Sequence, residues 1–234
     1  IPDVESFRYD DLESVREQIS KLRGKKGDSD VYALIVEPFS ASSLRESSEE
    51  FLQGVREICT QENIVLIFDE CTSGFRETFG GLHKKYGVEP DMAMFGKALG
   101  NGYAITAVVG KREIMKFAEE TFISSTFWTE RIGPSAALKT LEVMEKNKSW
   151  IKITQKGEMI KDKWKALAKK YSLSIEISGI SALPAFIINS RNWLKYKTLI
   201  TQEMLKKGFI ASNSVYLCLA HDDYIIDEYF EHLN

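Results

Sequence analysis

The feature that most constrains this 234-residue chain is a pair of short apolar runs joined by a capped amphipathic stretch. Val31 to Val36 and Ile64 to Phe68 are nearly continuous in apolar side chains, the pattern of strands covered on both faces. Between them Ser47 and Glu50 mark a helix start, and Phe51, Leu52, Val55 and Ile58 then recur on one side of that helix. Strand, helix and strand in so short a stretch form a βαβ unit, whose two strands should be parallel with a right-handed crossover. The core is therefore expected to be α/β.

Other elements fall around this unit. Asp10 and Glu13 suit a capping box, Leu12, Val15, Ile19 and Leu22 follow at helical spacing, and Gly24 reads as the stop before a polar loop from Lys25 to Asp30. Met92 to Phe95 and Ile105 to Val109 read as further strands. The segment between them, Gly96 to Gly102, is too short for a helical crossover, so the second should run antiparallel. After Thr126 the pattern changes to long helices at Ile132 to Lys146 and Trp150 to Tyr171. Strands at Leu173 to Ile177 and Ala185 to Ile188, a helix from Asn192 to Lys207 and a strand near Val215 to Leu219 complete the reading. Residues 1–145 thus form a large, mostly parallel α/β domain, and residues 146–234 a smaller C-terminal α+β domain.

Charge and composition narrow the class of partner. Thirty-one basic against 34 acidic residues give a net charge of -3, so no positive field points to nucleic acid or to an anionic membrane. No apolar run reaches the roughly 18 to 20 residues that span a bilayer, and Ile1 to Asp10 lack the blocks of a signal peptide. A cytoplasmic protein with small-molecule partners is expected. Cys59, Cys71 and Cys218 form no Cys-x-x-Cys pair and read as reduced, mostly buried thiols. His83, His221 and His232 lack metal-ligand spacing and read as surface residues, so no metal is expected.

Ligands of parallel α/β sheets bind beyond the carboxyl ends of the strands. Asp69 follows the run Ile64 to Phe68 directly and opens the segment Asp69-Glu70-Cys71-Thr72-Ser73-Gly74-Phe75-Arg76. It either meets a ligand there or caps a turn. Lys97 follows the next strand, within Phe95-Gly96-Lys97-Ala98-Leu99-Gly100-Asn101-Gly102, and alone it would read as a solvated surface lysine. The glycine spacing is that of neither a Walker loop nor a dinucleotide fingerprint. Together the two supply an amine for a Schiff base and an anion for a pyridinium nitrogen, the pair that pyridoxal phosphate requires.

At these residues the chain resembles the class III aminotransferases, and within them the branch similar to glutamate-1-semialdehyde aminomutase. The resemblance rests on Asp69-Glu70 with Ser73-Gly74-Phe75-Arg76, on Gly96-Lys97-Ala98-Leu99-Gly100-Asn101-Gly102-Tyr103, on Ala107-Val108-Val109-Gly110, and on the Glu37-Pro38 step. It implies the large domain of a type I pyridoxal-phosphate transferase, with roughly the C-terminal two-thirds of the family's length present. It further implies a Schiff base on Lys97, Asp69 at the ring nitrogen, and Cys71 where the family usually sets valine or isoleucine against the ring. Ser125-Thr126-Phe127 is similar to the loop whose threonine reaches the cofactor phosphate of a neighbouring subunit, which implies a homodimer; the family's Gly-Asn-Pro is replaced here by Trp128-Thr129-Glu130-Arg131.

The implied reaction is transfer of an amino group between an amine or amino acid and a carbonyl compound, with Lys97 and Asp69 as catalytic residues. A 2,1-aminomutase shift within one molecule is the alternative, and a catalytically incompetent fragment acting as an interaction domain is a third reading. Glu70 either supports the cofactor residues or braces the chain locally. The family's small Gly-Ser or Gly-Thr phosphate loop and its ring-stacking aromatic correspond to nothing here and would lie upstream of Ile1, supplied by another segment or chain. Weak cofactor binding by the 234 residues alone is the expectation.

Overall fold

A computed structural model describes residues 4–25, 31–124, 126 and 129–234. The chain divides into two compact units, Ile1–Ala41 with Ser47–Glu142, and Ser42–Glu46 with Val143–Asn234. In the first, α1 (Leu12–Lys25), β1 (Ala33–Val36), α2 (Glu49–Gln61), β2 (Val65–Asp69), β3 (Met92–Phe95) and β4 (Ala107–Gly110) follow in order. The sheet runs β1-β2-β3-β4. β1 and β2 are parallel, with Ala33 opposite Val65 and Val36 opposite Phe68, and β2 and β3 are parallel, with Asp69 opposite Met94. β4 returns antiparallel to β3, as the short connection requires. The fold is α/β with a mixed, mostly parallel sheet.

Helix starts differ from the sequence reading in detail. Asp10, expected to cap α1, has φ of 62° and accepts instead from the Ser48 N–H at 2.8 Å and the Ser48 hydroxyl at 2.9 Å. Asp11 takes over the cap of α1, accepting from the Ser14 N–H at 2.9 Å. Ser48, rather than Ser47, caps α2 through the Phe51 N–H, while the Ser47 hydroxyl donates to Tyr9 Oη at 2.8 Å. α1 also continues through Gly24 to Lys25, and the expected loop beyond it, 26–30, lies outside the described residues.

The apolar face of α2 explains the crossover. Phe51, Leu52, Val55, Ile58 and Cys59 are each buried, packed with Val15 and Ile19 of α1 and with Leu34, Val36, Leu66 and Phe68 of the sheet. Each such side chain contributes about 1.5 to 3 kcal/mol by leaving water. The expectation that β1 would be covered on both faces is corrected: Ile35, which points away from α1 and α2, is 55% exposed. Continuous apolar sequence signals burial of both faces only if both are covered.

One buried carboxylate ties the opposite end of the sheet together. Asp91 Oδ2 accepts from the Leu66 N–H at 2.8 Å and from Arg56 at 2.9 Å, and Oδ1 accepts from Lys111 Nζ at 2.6 Å. Its own N–H donates to the Leu66 carbonyl at 2.8 Å. Burial opposes ionisation of Asp91, but the hydrogen bonds from Lys111, Leu66 and Arg56 outweigh it and hold the carboxyl below its ordinary range.

α3 (Ile132–Asn147) places Ala137 against Ala93, Phe95 and Leu99 of the first unit, with Leu141 packed beside them. In the second unit α4 (Ser149–Lys170), α5 (Trp193–Lys206) and α6 (Asp223–Leu233) accompany the antiparallel pair β5 (Ile175–Ser178) and β6 (Ala185–Ile188). Trp164 of α4 is buried and donates from Nε1 to Tyr229 Oη of α6 at 3.1 Å; burial pushes the Tyr229 phenol up to about 12. The expected strand near Val215 to Leu219 does not form. Ser214 makes an isolated bridge with Ala185, and the Val215 and Leu217 N–H groups donate to Pro184 and Ala182, which follow a turn rather than a ladder. Among the described residues no helix is long and apolar enough to cross a membrane.

Gly157, mid-helix in α4, yields a test. A Cβ built there would stand 1.6 Å from the Ser181 carbonyl oxygen. Alanine at this position should raise helix propensity by about 1 kcal/mol, yet the contact forces the backbones apart and dominates. Gly157→Ala is expected to lose about 1 to 3 kcal/mol net in urea denaturation; a gain would contradict the close approach of α4 to the Ser181 turn.

Candidate active site

Because β1, β2 and β3 are parallel, the chain leaves all three at the same end of the sheet, and the chemistry-bearing side chains gather there. Glu37 directly follows β1, Asp69 closes β2, and Lys97 lies two residues beyond β3. Asp69 is half-buried, and its Oδ1 accepts from the Cys71 N–H at 3.0 Å. It therefore caps its own turn, and the Cys71 thiol hydrogen-bonds to the same carboxylate.

Lys97 opens a single 3-10 turn, Lys97–Leu99, with its backbone in the left-handed region at φ 42°. The Lys97 carbonyl accepts from the N–H groups of Gly100 at 3.2 Å and Asn101 at 3.0 Å. Gly100 is required there, since a Cβ would lie 2.0 Å from the Tyr103 carbonyl oxygen. This path aims the lysine back toward β2, where Lys97 Nζ donates to Thr72 Oγ1 at 2.5 Å. Thr72 is buried, and its carbonyl accepts from Arg76 Nε at 2.6 Å.

Cys71 lies among these charges. Burial raises its thiol above the ordinary range, the Asp69 hydrogen bond and charge raise it further, Lys97 opposes them, and Glu37 adds to the rise. The structure thus brings Asp69, Cys71 and Lys97 together and adds Thr72 and Glu37. Thr126 is an exposed turn position, with Ser125, Phe127 and Trp128 outside the described residues.

Two readings of individual residues are corrected, those of His83 and Cys218, and that of Glu70 is narrowed. His83 is not a surface residue but is buried beside Glu70, with Nδ1 2.9 Å from Oε1. Glu70 is wholly buried and also accepts from the Ser73 hydroxyl, so it braces the turn after β2. Cys218 is exposed, with Sγ 3.3 Å from His221 Nδ1, whereas Cys59 is buried and its thiol pushed up to about 12. Thr72 escaped the sequence reading because its partner is 25 positions away. A separate cleft of about 760 Å3 at the other end of the sheet, lined by Arg56, Val65, Asp91 and Lys111 among others, holds none of the expected site residues.

Comparison with known proteins matches residues 1–227 to the family model described as aminotransferase class-III. The chain is 31% identical over 230 residues to a 3-aminobutyryl-CoA aminotransferase of Cloacimonas acidaminovorans, covering 94% of this chain and 54% of that protein. It is 29% identical over 210 residues to a glutamate-1-semialdehyde 2,1-aminomutase of Chlorobium phaeobacteroides, covering 88% and 48%. The chain therefore spans about half the length of the curated relatives it matches, less than the share expected from sequence. Among solved structures, an ornithine aminotransferase of Plasmodium yoelii superposes with a TM-score of 0.83 at 26% identity, covering 98% of this chain and 61% of that one. The PLP internal aldimine form of the FumI protein of Sphingopyxis sp. MTA144 gives 0.88 at 22% identity, covering 98% and 56%, a likeness of fold.

The charges around Cys71 give a direct check of the cluster. Asp69→Asn removes a charge that raises the thiol, so alkylation of Cys71 by iodoacetamide at mildly alkaline pH should speed up by about threefold or more. Lys97→Ala removes the opposing charge and should slow it. Rates read by peptide mass spectrometry, with Cys218 as internal reference, decide; equal rates in all three proteins would mean that the charges do not act on one thiol.

Proposed function

Since the chain belongs to the class-III aminotransferase family, we propose that it carries the lysine and aspartate of a pyridoxal-phosphate site that moves an amino group between an amine or amino acid and a carbonyl compound. The observation that carries this reading is the convergence of Asp69 and Lys97 at the carboxyl ends of adjacent parallel strands, with the lysine amine turned back onto Thr72. The donor set suits the cofactor: a primary amine and a half-buried carboxylate at the ends of adjacent parallel strands. When bound, pyridoxal phosphate supplies an aldehyde for an amine and a ring that accepts electrons from the substrate carbon.

Lys97 would hold the cofactor covalently through Nζ and, once displaced by the amino donor, carry a proton at that nitrogen to and from the substrate carbon. Thr72 accepts from the amine and orients it. Asp69 would hold a proton on the ring nitrogen through its carboxylate, and Cys71 would lie against the ring. Residues 1–145 would form part of the cofactor-binding large domain and residues 146–234 the C-terminal small domain. Thr126 would meet the phosphate of a neighbouring subunit, making the working form a homodimer, and a cytoplasmic setting suits the small-molecule donor and acceptor. A 2,1-aminomutase shift uses the same lysine and aspartate, and the similarity to glutamate-1-semialdehyde aminomutase keeps it as the second reading. Release of a free keto acid would separate transfer from the shift.

Two substitutions test the assignment. Borohydride reduction in the presence of pyridoxal phosphate should place the label on Lys97 and lose it in Lys97→Ala; label on Lys84, Lys85 or Lys111 would overturn the assignment. Saturating cofactor allows capture even where affinity is low. Asp69→Asn should retain capture at Lys97 while turnover falls by about a hundredfold or more, since an amide does not keep the ring nitrogen protonated. Near-normal turnover would remove Asp69 from the mechanism.

A further inference from the structure

Glu70 is 0% exposed, and among the described residues no lysine or arginine salt bridge compensates it. A buried carboxylate is costly unless hydrogen bonds satisfy it, and here three do. Oε1 accepts from the His83 N–H at 3.0 Å and faces His83 Nδ1 at 2.9 Å, while Oε2 accepts from the Ser73 hydroxyl. The backbone around it is held as well: the Glu70 N–H donates to Met94 of β3 at 2.9 Å, and its carbonyl accepts from Gly74 at 2.8 Å.

The fold makes room for this pair. A Cβ at Gly81 would stand 2.3 Å from the His83 ring and 2.8 Å from Glu70 Oε1, so only glycine admits the contact. His83 also packs its ring against Phe68 of β2, with centroids 5.9 Å apart.

What the network holds is the turn from Asp69 to Ser73. Thr72 lies next to Ser73 and two residues from Glu70, and its hydroxyl is the partner of Lys97 Nζ. Cys71, whose N–H engages Asp69, lies between them. We infer that the buried Glu70–His83 pair is a positioning device for Lys97: it fixes the 70–73 turn so that the Thr72 hydroxyl meets the lysine amine and the Asp69 carboxylate keeps its orientation. Among the described residues no side-chain hydrogen bond joins Glu70 or His83 to Lys97 or Asp69, and the pair acts through Thr72 and Cys71. The inference rests on the proposed role of Lys97, and its test includes a measurement made without cofactor.

The experiment compares the unaltered chain with His83→Leu, which removes the donor at similar bulk, with His83→Asn, whose amide can donate from nearly the same place, and with Ser73→Ala. In the absence of cofactor, each is acetylated with trace acetic anhydride, and the rate at Lys97 is read relative to Lys84 and Lys111 of the same molecule. In parallel, capture of pyridoxal phosphate at Lys97 is measured by borohydride reduction. In His83→Leu, relative acetylation of Lys97 should rise by about threefold as the amine leaves Thr72, while capture falls by about fivefold. His83→Asn should return both to within about twofold of the unaltered chain. Opposite movement of the two readouts is not what general loosening produces, because unfolding exposes all three lysines alike. Unchanged relative acetylation in folded His83→Leu overturns the inference; if that variant does not fold, Ser73→Ala decides by the same two outcomes. If the unaltered chain captures no cofactor at Lys97 but acetylation still shifts, the proposed function falls and the positioning role stands.

Discussion

The register between β2 and β3 is the constraint on which the rest of this structure depends. Asp91 sets it at one end, exchanging hydrogen bonds with both backbone groups of Leu66 while Arg56 and Lys111 neutralise its charge. With Asp91 bound to Leu66, the pairing carries forward until Asp69 stands opposite Met94, and Lys97 emerges three residues later. A slip of one residue would turn every side chain of β3 to the other face. It would send Ala93 and Phe95 out of the core and aim Lys97 away from Thr72. The clamp at one end of the sheet thus determines the chemistry at the other.

Much of this was legible in the sequence because it depends on local pattern. The βαβ unit follows from two apolar runs and the stripe Phe51, Leu52, Val55 and Ile58, and the antiparallel return of β4 follows from the shortness of the Gly96 to Gly102 connection. Boundaries were less legible, because neighbouring polar residues compete for the same role. Asp10 and Asp11 are equally able to cap α1, and only the left-handed turn at Asp10, which carries it to Ser48, decides between them. Val215 to Leu219 has the composition of a strand, but strand formation depends on a partner edge, and the contact there is one bridge at Ser214 with hydrogen bonds to the turn residue Ala182 and to Pro184.

The site divides along the same line. Asp69 and Lys97 are visible because each follows a readable strand, and an amine beside a carboxylate reads as a complementary pair for one cofactor. Thr72, Glu70 and His83 are invisible as a set, because their meaning lies in contacts across 25 and 13 positions and in burial that a polar residue does not advertise. A histidine among lysines, as in Leu82-His83-Lys84-Lys85, looks solvated. It is buried here because Gly81 opens a space beside Glu70. The same holds for the exposed side of β1, where an apolar run promised cover that α1 and α2 supply on one face alone.

The backbone of Lys97 carries a consequence for how such a site can drift over generations. At φ 42° a lysine occupies a conformation in which a side chain costs roughly 1 to 2 kcal/mol relative to the right-handed alternative, and which glycine adopts freely. Random change at this position is therefore drawn by stability toward glycine, which would remove the amine. If Lys97 has the proposed role, selection for the amine and selection for a relaxed backbone pull in opposite directions at a single codon, and a lineage that keeps the lysine would find its compensation in the neighbours, in Gly100 and in the hydroxyl of Thr72. A copy released from the need for chemistry would be expected to lose Lys97 early, and to become slightly more stable in doing so.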